Sequence, residues 1–221
     1  MTARPGLDSL GPYFAVRTGV PPAGFRPLAE LSTPEGPLAA RVAEVGRVLR
    51  TNERRVAAST AHLGLAARFW SVALGTAVLT GRLPDLDGAL FALPPQGPFE
   101  LWLPAEPGPP ATAAALHDAV IDRHLRPLGA ALRLAPGLLA GNAASALVGA
   151  ARQLGAASPS LGGPAAALAR ELLARSPEVG AVSPPGRPLA FRRASCCLYY
   201  RAPSGGLCGD CVFTRPPAVR R

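Results

Sequence analysis

A chain of 221 residues, 48% of them hydrophobic and 17% charged, can bury a substantial core as one large domain or two small ones, and is too apolar for an intrinsically disordered protein. Its formal net charge is +9, and all 23 basic residues are arginine. A nucleic-acid partner is not expected, because the arginines are spread along helix faces and the aromatic residues, only 5% of the chain, interleave no basic run.

The opening "MTARPGLDSLGPYF" has no apolar core of the secretory kind, so a cytoplasmic location is expected. Residues 1–32 read as irregular, with a short strand in "GPYFAV" ahead of the Gly/Pro-rich "TGVPPAGFRP". Over 34–50, Leu38, Val42, Val45 and Leu49 form an apolar stripe opposite Arg41, Glu44, Arg47 and Arg50. That spacing predicts an amphipathic helix, with Thr33 as its N-cap and Pro34 in its first turn. A second helical region runs from near Asn52 to Thr80, with a break around Trp70–Ser71, which makes it a buried helix pair. Its stretch from Val56 to Thr80 has the length to cross a bilayer, about 20 residues. His62 and Arg68 lie inside it, and an arginine near the bilayer centre costs roughly 2.5–3.5 kcal/mol. No transmembrane segment is therefore expected, which leaves peripheral association with the inner membrane face open.

After "GRLPDLDG" the pattern turns to β: Phe99, Leu101 and Leu103 alternate with Glu100 and Trp102, and "PPQGP" turns the chain between two strands within 89–103. Helices resume from about Ala111 to Leu134, with a kink at Pro127, and again from Pro136 to Leu154. The second carries a face of small residues, Ala143, Ala146, Gly149 and Ala150, suited to close backbone packing, and the Gly141–Asn142 step reads as a capping element. "GAASPSLGGP" reads as a linker, "AAALARELLARS" as a last helix, and "PEVGAVSPPGRP" as an irregular lead into the C-terminus. The expected fold is mainly α with a small β hairpin or sheet (α+β). A helical body spans 1–185, with a possible subdivision near 104–111, and a C-terminal cysteine loop spans 186–221.

Every cysteine lies in "CCLYYRAPSGGLCGDC": Cys196 and Cys197 are adjacent, ten residues separate them from Cys208, and two more precede Cys211. A disulfide framework suits secreted chains, and bridging neighbours needs strained geometry. A structural zinc site wants four thiolates about one ion. Cys208 and Cys211 supply one such pair, but adjacent cysteines diverge and clamp a single ion poorly. Four thiolates also serve a 2Fe–2S centre, whose two metals accept ligands pointing in different directions. Spacing favours iron–sulfur and leaves zinc open. Haem c is excluded, since Val212 follows Cys211. His62, His117 and His124 form no triad or metal set.

Two cysteines, ten residues, a cysteine, two residues and a cysteine near the C-terminus resemble the signature of the FhuF-like ferric siderophore reductases. "RRASCCLYYR" with "GGLCGDC" is similar to that family's C-terminal block, "LLAGNAASALVGAARQL" to its preceding small-residue helix, and "AASTAHLGLAARFWSVALGTAVLTG" to its N-terminal helical region. The resemblance implies a 2Fe–2S cluster held by Cys196, Cys197, Cys208 and Cys211. It also implies an oxidoreductase for iron acquisition, which transfers one electron to the Fe³⁺ of a siderophore in the cytoplasm. Reduction makes the iron softer and more labile, so hard oxygen ligands let go.

No G-x-G-x-x-G follows a strand, so electrons are expected from an electron-donor protein or a diffusible reductant. From Arg187 onward there are seven arginines and one acid, Asp210. Arg192, Arg193 and Arg201 are candidates for contact with a partner or substrate, against a solvated basic tail. Tyr199 and Tyr200 would shield the cluster or stack on a catecholate. Gly205, Gly206 and Gly209 would turn backbone N–H groups toward sulfur. The alternatives are a non-enzymatic 2Fe–2S electron relay or iron/redox sensor, and a zinc-stabilised interaction domain.

Overall fold

The structure, a computed structural model, describes residues 6–33, 36–94, 99–106 and 108–218. Its scaffold is helical. Helix α1 (Pro37–Leu49) buries Leu38 and Val42 and keeps its arginine face outside, as its stripe predicts. Its N-cap is Gly36, not Thr33, and Pro37 occupies the first turn; Pro34 lies outside the described residues. Helix α2 (Arg54–Thr80) runs unbroken through Trp70 and Ser71. No proline interrupts it, and neighbours cover it on most sides, so nothing favours the expected break. By length and composition it could cross a membrane, but 67% of its most apolar window is buried inside the protein.

Arg68 explains why a charge belongs in that helix. It is 3% exposed, and it donates through Nε to the Phe99 carbonyl at 3.0 Å and through Nη1 to the Tyr13 carbonyl at 2.6 Å. Nη2 binds the Ala15 carbonyl. Burial pushes its pKa down to about 10, still charged at neutral pH. One guanidinium thus holds the N-terminal segment and the entry to a strand on α2. Gly75 lets Leu7 and Phe14 pack against the same helix, because a Cβ there would lie 2.9 Å from both side chains. "GPYFAV" forms no strand. Its carbonyls go instead to Arg68, and the following residue, Arg17, makes an isolated bridge to Trp102.

Strands β1 (Arg26–Pro27), β2 (Leu90–Ala92) and β3 (Glu100–Trp102) form an antiparallel sheet in that order, with Phe91 opposite Leu101. Phe99, Leu101 and Leu103 face the core, as their alternation requires. Most of the expected turn, 95–98, lies outside the described residues.

A continuous helical rod follows: α3 (Ala113–His117), a π-helical stretch Asp118–Leu125, and α4 (Arg126–Leu132). Thr112 caps its start, its Oγ1 accepting from the Ala115 amide at 3.1 Å. Pro127 has no N–H for the Arg123 carbonyl, and the wider register just before it absorbs the mismatch: the Arg126 amide reaches back to Ile121.

Helix α5 (Pro136–Ala157) packs along α2 through Ala143, Ala146 and Ala150, all buried. Gly141 and Asn142 sit within its second turn, not at its cap. The expected linker is helical. Only Ser158 separates α5 from α6 (Pro159–Ala174), which contains Pro164. The glycines there allow a close crossing, since a Cβ on Gly155 would lie 3.2 Å from the Gly162 Cα.

The stretch read as an irregular lead is a hairpin. Strand β4 (Gly180–Val182) pairs antiparallel with β5 (Phe191–Arg193), Ala181 opposite Arg192. A single hydrophobic core runs from Leu7 to Phe191, drawing on both sides of 104–111, and Leu189 and Leu198 pack against it. The fold is mainly α with small antiparallel sheets, as its patterning predicts.

Candidate metal centre

The cysteine segment leaves β5 at Arg193 and is pinned before the first thiol appears. The Ala194 amide donates to the Val179 carbonyl at 2.8 Å, and Ser195 Oγ donates to the Gly137 carbonyl at 2.7 Å. Cys197 is buried at 5% exposure, and its own carbonyl accepts from Ser59 Oγ on α2 at 2.7 Å. Asn142 on α5, fully buried, donates through Nδ2 to the Ser59 carbonyl at 2.9 Å. Its Oδ1 accepts from Arg193 Nη2 at 2.8 Å. The two longest helices and the cysteine segment are therefore joined through one polar chain, Cys197–Ser59–Asn142–Arg193. Inside a core such a chain is stable only when its members are paired.

Arg193 closes the network. It is 1% exposed, and it also donates through Nε to the Ser195 carbonyl at 2.6 Å and through Nη2 to the Leu138 carbonyl at 3.3 Å. Its Nη1 is buried without a hydrogen-bond partner among the described residues. Gly141 makes room for this arrangement: a Cβ would collide with Ser195 Oγ and lie 2.8 Å from Arg193 Nη2.

The segment then doubles back. Leu198 adopts a left-handed conformation, φ 69°, that directs its amide to Cys196 Sγ at 3.2 Å. Cys211 N–H donates to the Cys208 carbonyl at 3.1 Å, closing a tight turn, and the Phe213 amide faces Cys211 Sγ at 3.4 Å. Among the expected loop glycines, Gly205 alone is forced, since a Cβ there would strike the Tyr199 carbonyl; Gly206 and Gly209 face open space. Asp210, the one acid in the tail from Arg187 onward, is held by Arg152 Nη1 at 3.0 Å.

None of the four cysteines is in a disulfide. Cys208 lies near Cys197, and Cys196 is within electrostatic reach of Cys211 and Cys208. Burial pushes the Cys196 and Cys208 thiols above the ordinary range; neighbouring thiols add to the rise, and Arg193 opposes it. Such thiols are poor nucleophiles and become thiolates when a metal cation takes the proton's place. Among the described residues no three Cys, His, Asp or Glu side chains are grouped closely enough to hold a metal ion. The donor set suits a two-metal, anionic cluster. It offers four sulfurs gathered in one segment, backbone amides turned to two of them, and a buried guanidinium nitrogen still lacking an acceptor.

The other expected contacts are distributed differently. Arg193, expected at a partner or substrate, is interior. Arg192 is exposed and donates to the Val212 carbonyl at 2.9 Å. Arg201 pairs with Glu53 at 2.8 Å, tying the loop to the entry of α2. Tyr199 and Tyr200 are half-buried, and Tyr200 packs edge-on against Phe213 with centroids 5.8 Å apart. A cleft of about 290 Å³ opens beside Cys208, lined by Tyr13, Ser71, Ser145, Gln153 and the small-residue face of α5. Ser59 and Ser195 were not singled out from the sequence, and Asn142 was read there only as part of a capping step. The available signal was a lone asparagine in an otherwise Ala/Gly/Leu helix.

Fold and site together define an iron–sulfur protein: a helical body with a cysteine segment seated on α2 and α5. Residues 193–213 match the FhuF 2Fe-2S C-terminal domain, the family that the cysteine spacing resembles, so the cofactor of this segment is a 2Fe–2S cluster. No curated protein and no solved structure matches the chain.

Proposed function

We propose that the protein is a ferric siderophore reductase of the cytoplasm, which reduces chelated Fe³⁺ by one electron so that the iron is released as Fe²⁺. The observation that carries this reading is the cleft of about 290 Å³ beside Cys208, which leaves that edge of the cysteine segment open for a chelate to approach from outside. When bound by Cys196, Cys197, Cys208 and Cys211, the 2Fe–2S centre supplies single electrons. The residues around it hold and orient. Arg193, Asn142 and Ser59 fix the segment, and Tyr200 packs edge-on against Phe213 within the same tail. Ser145 Oγ, buried and without a partner among the described residues, and the Gln153 amide offer hydrogen bonds at the cleft. No general acid or nucleophile is required, because no bond to carbon is broken. Exposed Arg192 offers a contact for an acidic electron-donor protein, the partner most consistent with a basic tail.

Anaerobically purified protein should show the absorption and paramagnetic resonance of a reducible 2Fe–2S centre. After chemical reduction, ferric siderophores should reoxidise it rapidly, with Fe²⁺ trapped by a ferrous chelator. Reoxidation no faster than that of an unrelated 2Fe–2S ferredoxin would leave an electron relay as the better description. Stoichiometric zinc with no paramagnet would remove both.

A further inference from the structure

Arg193 is bonded to both halves of the cysteine segment. Its backbone amide donates to the Asp210 carbonyl at 3.0 Å, inside the turn that carries Cys208 and Cys211. Its side-chain Nε donates at 2.6 Å to the carbonyl of Ser195, the residue before Cys196. It also lines the cleft that opens beside Cys208. The guanidinium charge reaches thiols of both pairs, since it opposes the rise that burial imposes on Cys196 and on Cys208.

This charge has no counter-ion of its own. The side-chain acceptors of Arg193 are the Ser195 carbonyl, the Leu138 carbonyl at 3.3 Å and Asn142 Oδ1 at 2.8 Å, all neutral. Among the described residues no carboxylate pairs with it, and the carboxylate of Asp210 is taken by Arg152 at 3.0 Å. Arginine does not give up its proton in a protein, and the side chain is only 1% exposed. A cation so placed destabilises the fold unless negative charge comes close. The cysteine set is where that charge arises: a 2Fe–2S centre on thiolates is an anion, and reduction adds one further negative charge.

We propose that Arg193 sets the reduction potential of the 2Fe–2S centre, raising it by holding an uncompensated positive charge beside both cysteine pairs. The inference rests on the cluster of this segment and not on the reductase reading, so it stands wherever the electron goes next. One electron enters from an external reductant, no covalent bond to the protein changes, and the fixed cation favours the more negative, reduced form. A donor of modest reducing power can then fill the centre, which in turn becomes less strongly reducing toward chelated iron. A purely structural role predicts the opposite sign. Loosening the segment admits water, which favours the more highly charged form and raises the potential, whereas removing the cation lowers it.

The test is an anaerobic redox titration of the full, cluster-loaded chain, with the reduced fraction followed by paramagnetic resonance and visible absorption. Arg193→Gln should shift the one-electron equilibrium about tenfold toward the oxidised form, about 59 mV downward. That is roughly the scale for unit charges about 10 Å apart at an effective dielectric of about 20. Arg193→Lys, which keeps the charge, should stay close to the parent. Asn142→Asp puts a carboxylate beside the guanidinium and should lower the potential as Arg193→Gln does, so the sign is read even where that variant assembles poorly. Asn142→Ala loosens the same network without altering charge and should not lower the potential. A potential at or above the parent's in Arg193→Gln and Asn142→Asp, or an equal fall in Arg193→Lys or Asn142→Ala, would overturn the proposal.

Discussion

Replacing Asn142 by alanine removes the carboxamide that joins α2, α5 and the cysteine segment. Two kinds of bond disappear: acceptance from Arg193 Nη2 at 2.8 Å, and donation to the Ser59 carbonyl at 2.9 Å. A hydrogen bond to a charged group contributes about 1.5–3 kcal/mol and a neutral one about 0.5–1.5 kcal/mol. Arg193 Nη2 keeps the Leu138 carbonyl at 3.3 Å, which softens the loss. The expected destabilisation is therefore about 2–4 kcal/mol. At this chain length 1 kcal/mol moves Tm by roughly 2–4 °C, so calorimetry should show a fall of roughly 5–15 °C. Hydrogen exchange adds the location. The amides of Ala194 and Leu198, bonded to Val179 and Cys196, should exchange faster than those in the middle of α2. A Tm within 1 °C of the parent, with unchanged exchange at both amides, would show that Asn142 does not seat the segment.

Gly141→Ala should cost about 1–3 kcal/mol, because its Cβ meets Ser195 and Arg193. Gly149→Ala in the same helix meets nothing within 4 Å and should instead gain about 0.5–1 kcal/mol; urea unfolding of both variants checks the contrast. The folded pKa of His62, about 4, lies below its unfolded value of about 6.5. Its contribution is therefore complete above pH 6.5 and is lost as pH falls through 4, by about 3 kcal/mol in total. Unfolding free energies at pH 7, 5.5 and 4.5 should show this slope in the parent and a shallower one in His62→Leu; equal slopes would assign the acid sensitivity elsewhere. Cys208→Ser should lose or weaken the cluster absorption while the helical circular dichroism persists, because Cys208 lies outside the hydrophobic core.

The elements that were legible in the sequence are those specified by near neighbours. The stripe of α1 and the alternation around Leu101 each lie within a short window and read through to the structure, and the spacing of the four cysteines, equally local, agrees with the 2Fe-2S domain match. The misreadings share a different origin. Gly and Pro in "GAASPSLGGP" suggest a linker when read alone, yet they permit two helices to cross closely at Gly155 and Gly162. "GPYFAV" has the composition of a strand, but its neighbourhood supplies Arg68 in place of a partner strand. β4 and β5 are three residues each, too short to show a period.

The sequence by itself determined the chemistry: four thiols in one segment with a spacing suited to a binuclear centre, on a chain patterned for helices. Tertiary structure decided which charged and polar groups serve that centre. Arg193 and Arg192 are adjacent and identical in type, yet one is buried among Asn142, Leu138 and Ser195 and the other faces solvent. The physical reason is that a polar side chain's role depends on partners it meets only after folding. Ser59 and Cys197 are 138 residues apart and Arg193 and Asn142 are 51 apart, distances over which local pattern carries no information.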